Sequence, residues 1–412
     1  MKYISGATYE FETDEKFQAI FISENSDFVF VKLSSGYNEG VSKKKIKKSK
    51  LIKKPSVKTI SSKPVKNAEI LILHTGGTIA SKVDYKTGAV SDSFTPKEII
   101  SLFPELTDYK IDSELIRNMP SDDMNFSHYN LIAKKIVSLK DKYKGIILTH
   151  GTDTLHYTSS ALGFILKGIQ IPVVVVGSQR SSDRPSSDAA TNLINAAYFI
   201  KNSKSKGVFV CMHKTIDDED CLILNAHNIR KLHTTRRDAF KPVNSKEAGV
   251  VNYKTGLLKF EQPKTYDFNP SYFKSLKVGM ITSRPNMPTA EIELYKDYDG
   301  LILQGTGLGH MPIGQKDEYT KSNKQIFDSI KKFALKKPVV MTSQCIHGRI
   351  NLNVYSPARL LKEIGVIGHN ISMTPETAYI KLSWLLSNYE YEEIKKLYYE
   401  DISGELNDRT EY

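Results

Sequence analysis

The stretch Ile70-Leu71-Ile72-Leu73-His74-Thr75-Gly76-Gly77-Thr78-Ile79-Ala80-Ser81 passes directly from a run of aliphatic side chains into a polar, glycine-rich loop. Four consecutive apolar residues without alternation predict a short strand buried on both faces, as in a mostly parallel sheet covered by helices. Adjacent glycines permit a tight turn and close approach of backbone to a ligand, and the threonines place hydroxyls at the carboxyl end of the strand. That edge is where open α/β sheets bind ligands. Taken alone, the loop is also compatible with a phosphate cradle. No lysine follows in the Walker pattern, however, and the glycine spacing is not that of a dinucleotide fingerprint.

Downstream, the same pattern of strand followed by polar loop returns. Gly145-Ile146-Ile147-Leu148 runs into Thr149-His150-Gly151-Thr152-Asp153-Thr154 ahead of a helix. If the two strands are parallel in one sheet, both hydroxyl-rich loops open on the same edge. A Thr-Asp pair at a helix start is ordinarily an N-cap; beside the first loop it reads as functional. Further strands are predicted from Ile171 to Val176 and at Val208-Phe209-Val210. The pattern lapses near Phe268 to Ser275 and resumes with strands at Val278 to Ile281, Leu301 to Leu303 and Pro338 to Met341. Tyr129, Ile132, Ile136 and Leu139 recur at helical spacing, as do Leu155, Ser159, Leu162 and Ile165, so each segment is expected to turn one apolar face to the sheet. Helices around 321–335, 356–363 and 375–386 interleave with the later strands. The expectation is a large α/β catalytic domain over 67–270 and a smaller α/β domain over 271–412.

Upstream the texture differs. From Thr8 to Leu33, Tyr9, Phe11, Phe17, Ile20, Phe21, Phe28, Val29, Phe30 and Val31 alternate with polar breaks, which predicts short strands in a small β-barrel-like unit. The runs Lys43-Lys44-Lys45, Lys47-Lys48 and Lys53-Lys54, followed by Pro55, Ser56, Ser61, Ser62 and Pro64, read as a final basic strand or tail entering a linker. Residues 1–66 are therefore expected to form a small β-domain with a basic linker. Against 46 Asp and Glu the chain carries 58 Lys and Arg, a formal charge of +12. This favours encounters with polyanions such as RNA, although a general richness in lysine gives the same figure. Three dispersed cysteines, Cys211, Cys221 and Cys345, fit neither a disulfide framework nor a zinc-ligand pair and point to a reducing compartment. Met1-Lys2-Tyr3-Ile4 leads into no apolar signal region and no later segment has the apolar length to span a bilayer, so a cytoplasmic protein without membrane association is expected.

In order and spacing, the Thr-Gly-Gly-Thr-Ile-Ala run at 75–80 and the His-Gly-Thr-Asp-Thr run at 150–154 resemble the two signature segments of the asparaginase family. The resemblance extends from about Ala68 to the last helices. It implies an asparaginase-like pair of α/β domains with mainly parallel sheets, and an amidohydrolase with a threonine nucleophile. Carried over by position, Thr78 is that nucleophile and Tyr85, in the loop that follows, its hydroxyl neighbour. Thr152 and Asp153 are the second-loop pair. Lys231-Leu232-His233-Thr234-Thr235, followed by Ala239-Phe240-Lys241, keeps the spacing that makes Lys231 the family's lysine; outside that frame it would read as a surface lysine beside Arg230, Arg236 and Arg237. Gly77 and Gly151 belong to the substrate-facing turns. Met119-Pro120-Ser121-Asp122-Asp123-Met124 falls where the family holds the substrate's carboxylate and amino groups, with Ser121 fitting directly and Asp122 replacing a frequent glutamine. His310 falls near where free asparaginases supply an asparagine from a neighbouring subunit, and reads as a loop histidine.

A threonine hydroxyl is a poor nucleophile at neutral pH and must lose its proton to a base as it attacks. Lys231 can drain that proton through Thr152 or through Tyr85, while Asp153 orients Lys231 or holds the substrate's α-ammonium group. Backbone N–H groups of the glycine-rich turns and near Thr154 suit the developing oxyanion. No metal is required. The extra N-terminal unit, the run from Val83 to Val90 and the runs Ser343-Gln344-Cys345, Gly348-Arg349, Asn353-Val354-Tyr355 and Gly365-Val366-Ile367 resemble the D subunits of archaeal glutamyl-tRNA(Gln) amidotransferases rather than free asparaginases. That resemblance implies a glutaminase subunit feeding ammonia to a GatE-like partner, which would hold ATP and Mg²⁺ and amidate glutamyl-tRNA(Gln). This chain would carry no cofactor and form a homodimer within a heterotetramer. Lys82, Asp84, Lys86, Thr87 and Gly88 predict a loop around Tyr85 able to open and close. The alternatives are a free cytoplasmic L-asparaginase with an accessory N-terminal domain, and a catalytically inert scaffold. Retention of Thr78, Tyr85, Thr152, Asp153 and Lys231 argues against the scaffold.

Overall fold

A computed structural model of the chain describes residues 3–4, 7–33, 38–54, 67–77, 79, 81–83, 90–92, 103–182, 187–217 and 219–410. Five antiparallel strands come first, β1 (Thr8–Glu12), β2 (Lys16–Glu24), β3 (Phe28–Leu33), β4 (Asn38–Ser42) and β5 (Lys48–Lys53), in the order β4-β3-β2-β1-β5. Alternation puts Tyr9, Phe11, Ala19, Phe21, Val29, Val31 and Val41 on one buried face, and Tyr3 packs across it, its ring 5.0 Å from that of Phe21. The basic strand expected after Ser42 is β5. In its ladder with β1, Lys50 stands opposite Glu10 and Lys48 opposite Glu12, so part of the lysine run is balanced across the sheet. The linker expected over 55–66 lies outside the described residues.

An eight-stranded sheet follows. Its members are β6 (Ile70–His74), β9 (Ile111–Leu115), β10 (Gly145–Thr149), β11 (Pro172–Val176), β12 (Gly207–His213), β13 (Cys221–Asn225), β16 (Gly249–Asn252) and β17 (Leu257–Phe260), in the order β17-β16-β13-β12-β11-β10-β6-β9. From β9 to β12 the strands are parallel; from β12 to β17 they are antiparallel. Two antiparallel strand pairs stand apart from this sheet, β7 (Ser81–Val83) with β8 (Val90–Asp92), and β14 (Ile229–Lys231) with β15 (Phe240–Pro242). The unalternating apolar strands are buried on both faces, as their composition requires. Leu71, Leu73, Ile146 and Leu148 point to a core shared with α1 (Phe126–Leu139) and α2 (Leu155–Ile165). Ile70, Ile72 and Ile147 point to a second core against α3 (Ala189–Asn202).

Helix α1 presents Tyr129, Ile132 and Ile136 as one buried face, and its N-cap Asn125 accepts the Ser127 N–H at 3.0 Å. Helix α2 departs from the expected single face: His156, Thr158, Ser160 and Phe164 are buried along with Leu155, Leu162 and Ile165. The reason lies in the C-terminal part of the chain. There β18 (Val278–Thr282), β19 (Gly300–Gly305) and β20 (Val339–Ser343) form a parallel sheet accompanied by α4 (Ala290–Glu293), α5 (Asn323–Ala334), α6 (Ser356–Glu363), α7 (Pro375–Asn388) and α8 (Tyr391–Leu397). Helix α7 packs on both α2 and this sheet, with Trp384 stacked 5.7 Å from Phe164. A helix covered on all sides needs no polar face.

Where the periodic pattern lapses, the chain is extended but anchored: Asn130 exchanges hydrogen bonds with both the N–H and the carbonyl of Phe273, and Trp384 Nε1 donates to the Ser271 carbonyl at 2.9 Å. The tail is held by a fully buried ion pair, Lys381 Nζ to Glu405 Oε1 at 2.5 Å, with Glu405 also accepting the N–H groups of Ile402 and Ser403. Among the described residues no helix is long and apolar enough to cross a membrane.

Candidate active site

Strands β6 and β10 are parallel neighbours, with His74 opposite Thr149. The loops that follow them therefore leave the same edge side by side. They are stitched at the root: Thr75 Oγ1 donates to the Thr149 carbonyl at 2.8 Å, and His74 Nδ1 meets Thr149 Oγ1 at 3.0 Å. Gly76 and Gly77 adopt φ of 96° and 84°, left-handed values that glycine tolerates. Their lack of side chains is also steric. A Cβ on Gly77 would come within 2.5 Å of the Gly151 nitrogen, and one on Gly76 within 2.6 Å of the Met119 nitrogen.

The third expected segment joins the same cluster. Ser121 is buried; its Oγ accepts the Thr154 N–H at 3.3 Å and its carbonyl accepts Thr154 Oγ1 at 2.8 Å. Of the backbone N–H groups near Thr154 expected to suit an oxyanion, that of Thr154 itself is engaged by Ser121. A Cβ on Gly151 would lie 2.9 Å from Ser121 Oγ, so loops 75–77, 119–124 and 149–154 interlock through glycines. Asp122 sits on the same turn with an exposed side chain.

Lys231 arrives from the β14–β15 hairpin. Its Nζ donates to Thr152 Oγ1 at 2.9 Å and to Asp153 Oδ1 at 2.8 Å. The lysine side chain is 11% exposed and that of Asp153 65%, so this pair closes the site on one side and meets solvent on the other. The hairpin is clamped by the opening turn of α7. Arg230 Nε pairs with Glu376 Oε1 at 3.2 Å, the Asn228 N–H donates to Thr377 Oγ1 at 3.1 Å, and Asn228 Oδ1 accepts the Thr374 N–H at 3.3 Å. Thr78 and Tyr85, the expected nucleophile and its neighbour, lie outside the described residues; so does the connection 84–89 between β7 and β8. His310 lies in a turn, its ring 5.2 Å from Tyr355 and its Nδ1 3.3 Å from the Thr306 carbonyl.

Two contributors carry no family assignment. His150 supports the second loop from within: Nδ1 faces the Gly151 carbonyl at 2.6 Å and Nε2 faces Thr158 Oγ1 at 2.8 Å. Burial pushes its pKa down to about 4, so the imidazole is neutral, with one nitrogen as donor. Burial acts likewise on His74, to about 3, and on His156, to about 4 with help from Arg230 and Lys231. The second contributor is the loop after β11, Gly177 to Ser182, where Ser182 Oγ donates to the Ile79 carbonyl at 2.6 Å. Its signal was present in the sequence, since Ser178-Gln179-Arg180 again follows a buried strand with a polar loop on the same edge.

The asparaginase N-terminal family model matches residues 69–266, and the glutaminase/asparaginase C-terminal domain model matches 277–398. The chain belongs to the asparaginase family. Within it, the chain is 39% identical over 407 residues to the D subunit of the glutamyl-tRNA(Gln) amidotransferase of Methanococcus maripaludis, covering 94% of this chain and 93% of that one. It is 36% identical over 399 residues to the protein of the same name from Sulfolobus acidocaldarius, covering 93% and 86%. Solved structures with the same fold include the thermostable L-asparaginase from Thermococcus kodakarensis, with TM-score 0.72 and 29% identity over 82% of this chain and 99% of that one. L-asparaginase I from Vibrio cholerae follows with TM-score 0.66 and 26% identity, again over 82% and 99%. The family models begin at residue 69, so a match covering 94% of the chain reaches into the N-terminal sheet.

Proposed function

We propose that this chain is the glutaminase subunit of a glutamyl-tRNA(Gln) amidotransferase. It hydrolyses glutamine to glutamate and passes the ammonia to a partner subunit that converts Glu-tRNA(Gln) to Gln-tRNA(Gln). The observation that carries the reading is the Lys231–Thr152–Asp153 cluster, held at the sheet edge of a chain whose likeness to the amidotransferase D subunits includes the N-terminal sheet. In this reading Thr78 attacks the amide carbon, and its proton passes through Thr152 to the amine of Lys231. Ammonia leaves as the threonine ester forms, and water activated by the same pair then releases glutamate. Asp153 orients Lys231 and, from its exposed side, meets the substrate's α-ammonium group. Ser121, Asp122 and the backbone of Gly77 and Gly151 hold the rest of the substrate, and Tyr85 adds its hydroxyl to the nucleophile. ATP and Mg²⁺ act in the GatE-like partner, within a cytoplasmic heterotetramer built on a dimer of this chain that meets glutamyl-tRNA(Gln) as a complex.

Steady-state kinetics on both amides test this. Glutamine hydrolysis by the isolated chain is expected to be weak and to rise markedly in kcat with the partner and glutamyl-tRNA(Gln), less with uncharged tRNA. A second reading, a free L-asparaginase, draws on the solved asparaginase structures that share the fold. It predicts vigorous asparagine hydrolysis by the chain alone and no response to tRNA; that outcome would end the amidotransferase reading.

A further inference from the structure

Asp188 occupies the N-cap position of α3, yet its side chain caps none of that helix's backbone N–H groups. Ser187 Oγ takes the Ala189 N–H instead, at 3.2 Å. The carboxylate of Asp188 has no exposed surface and turns to the loop after β11. There it accepts Ser178 Oγ at 2.9 Å, the Gln179 N–H at 3.0 Å on both oxygens, the Arg180 N–H at 3.1 Å and Asn192 Nδ2 at 3.2 Å. A carboxylate withdrawn from water persists when donors surround it in this way. Asn192 extends the hold by donating from the same Nδ2 to the Gly177 carbonyl at 3.0 Å.

The loop so fixed touches two parts of the candidate site. At its start, Gly177 lies flat against the second catalytic loop: a Cβ there would fall 2.8 Å from Thr152 Cγ2. At its end, the Ser182 hydroxyl binds the carbonyl of Ile79 at 2.6 Å, and both residues are buried. Ile79 is the residue after Thr78. We propose that Asp188 and Ser182 are positioning residues for the hydrolysis, Asp188 by setting the Gly177–Ser182 loop and Ser182 by holding the carbonyl of Ile79, the next residue in sequence after Thr78. The inference rests on Thr78 being the nucleophile. Its physical basis is that a nucleophile displaced by about 1 Å can lose about 10²-fold in rate without any change in substrate contacts.

The test uses the full chain, with its partner present wherever the wild type needs it, and compares Ser182→Ala, Ser182→Thr and Asp188→Asn. For glutamine and asparagine, kcat and KM are measured beside the rate at which a glutamine-mimicking diazoketone labels Thr78. Ser182→Ala is expected to lower kcat and the labelling rate together by about 10- to 100-fold, with KM within about threefold of wild type. Ser182→Thr, which keeps the hydroxyl, restores most of the rate. Asp188→Asn, which offers an N–H₂ to donors, falls by about 10²-fold. If that variant does not fold, the Ser182 pair decides alone. A wild-type kcat in Ser182→Ala, a loss confined to KM, a Ser182→Thr no better than Ser182→Ala, or an adduct on a residue other than Thr78 overturns the proposal. Hydrolysis of asparagine alone would remove the glutaminase reading and leave this test intact, because each ratio is taken on whichever amide turns over.

Discussion

Lys231 Nζ lies 2.9 Å from Thr152 Oγ1, a contact between residues 79 positions apart in the chain. Lysine and hydroxyl are brought together by two different elements, so the contact is a product of the tertiary fold. Replacement of Lys231 by Met keeps the stem and removes the amine. The expected loss in kcat is about 10³-fold, in the range for a positioned general base. Because Asp153 is well exposed, its charge is left in contact with water, and thermal melts should stay within a few degrees of wild type. A folded variant with full activity would show that this lysine has no part in the chemistry.

Thr78→Val should remove amide hydrolysis and covalent labelling together while leaving circular dichroism unchanged. Peptide mapping of the wild-type adduct is the direct measurement, and an active valine variant would rule the assignment out.

Gly77→Ala meets two obstacles, a φ of 84° and a Cβ within 2.5 Å of the Gly151 nitrogen. Backbone against backbone cannot yield as a flexible side chain can. We expect destabilisation of about 1–3 kcal/mol and a near-complete loss of activity as the first two loops are forced apart. Gly307→Ala is the control: φ is 50° but nothing lies within 4 Å of the added carbon, so a mild loss of stability without loss of rate is expected. Similar behaviour in both variants would contradict the steric account.

Acid should destabilise the fold through its buried histidines. Folded-state values are depressed by burial to about 3 for His74 and to about 4 for His150, His156 and His227. Between pH 6.5 and 4 the unfolded chain takes up protons that the native chain refuses, so stability is fully present above pH 6.5 and falls as pH drops through that window. Each such histidine contributes a slope of about 1.4 kcal/mol per pH unit. His227, held between Ser160 and Ser403, is the cleanest to replace. Urea melts of His227→Gln at pH 7, 6 and 5 should show a slope shallower by about 1 kcal/mol per pH unit averaged over that range, because the full slope is reached only well below pH 6.5, and parallel slopes would refute the account.

Lys381→Met leaves the buried Glu405 carboxylate without its partner, at a cost of about 3–5 kcal/mol, whereas Lys381→Met with Glu405→Leu should regain part of the loss, the Ile402 and Ser403 N–H groups then lacking their acceptor. Denaturant unfolding of the two variants measures the difference. Equal stabilities would mean that the ion pair is not the anchor of the tail.

The strands and the loops of the site were legible because both depend on local chemistry. Ile70 to Leu73 and Gly145 to Leu148 are apolar throughout, and glycines and hydroxyls follow each. Helix α1 was legible for the same reason, through its single apolar stripe. Helix α2 was read as one-faced because nothing in Leu155 to Ile165 announces α7, which covers its other side. The antiparallel strands β13, β16 and β17 escaped because short runs such as Gly249–Asn252 carry little pattern. Lys231 was found only through its resemblance to a family motif; its own neighbourhood, rich in arginine, resembles open surface. Asp188 was unremarkable in the sequence because an aspartate before a helix is ordinarily its cap, and its actual partners are chosen by the fold.

The clamp between Asn228 and Thr377 spans 149 residues, and this gives the order of synthesis a chemical meaning. When a ribosome has made Thr78, Thr152 and Lys231, the segment that steadies the Lys231 strand has yet to be translated. The Lys231 strand therefore lacks that support until the segment around Thr377 has been made. A copy cut short before Thr374 would carry Thr152 and Lys231 without the contacts that steady the Lys231 strand against α7.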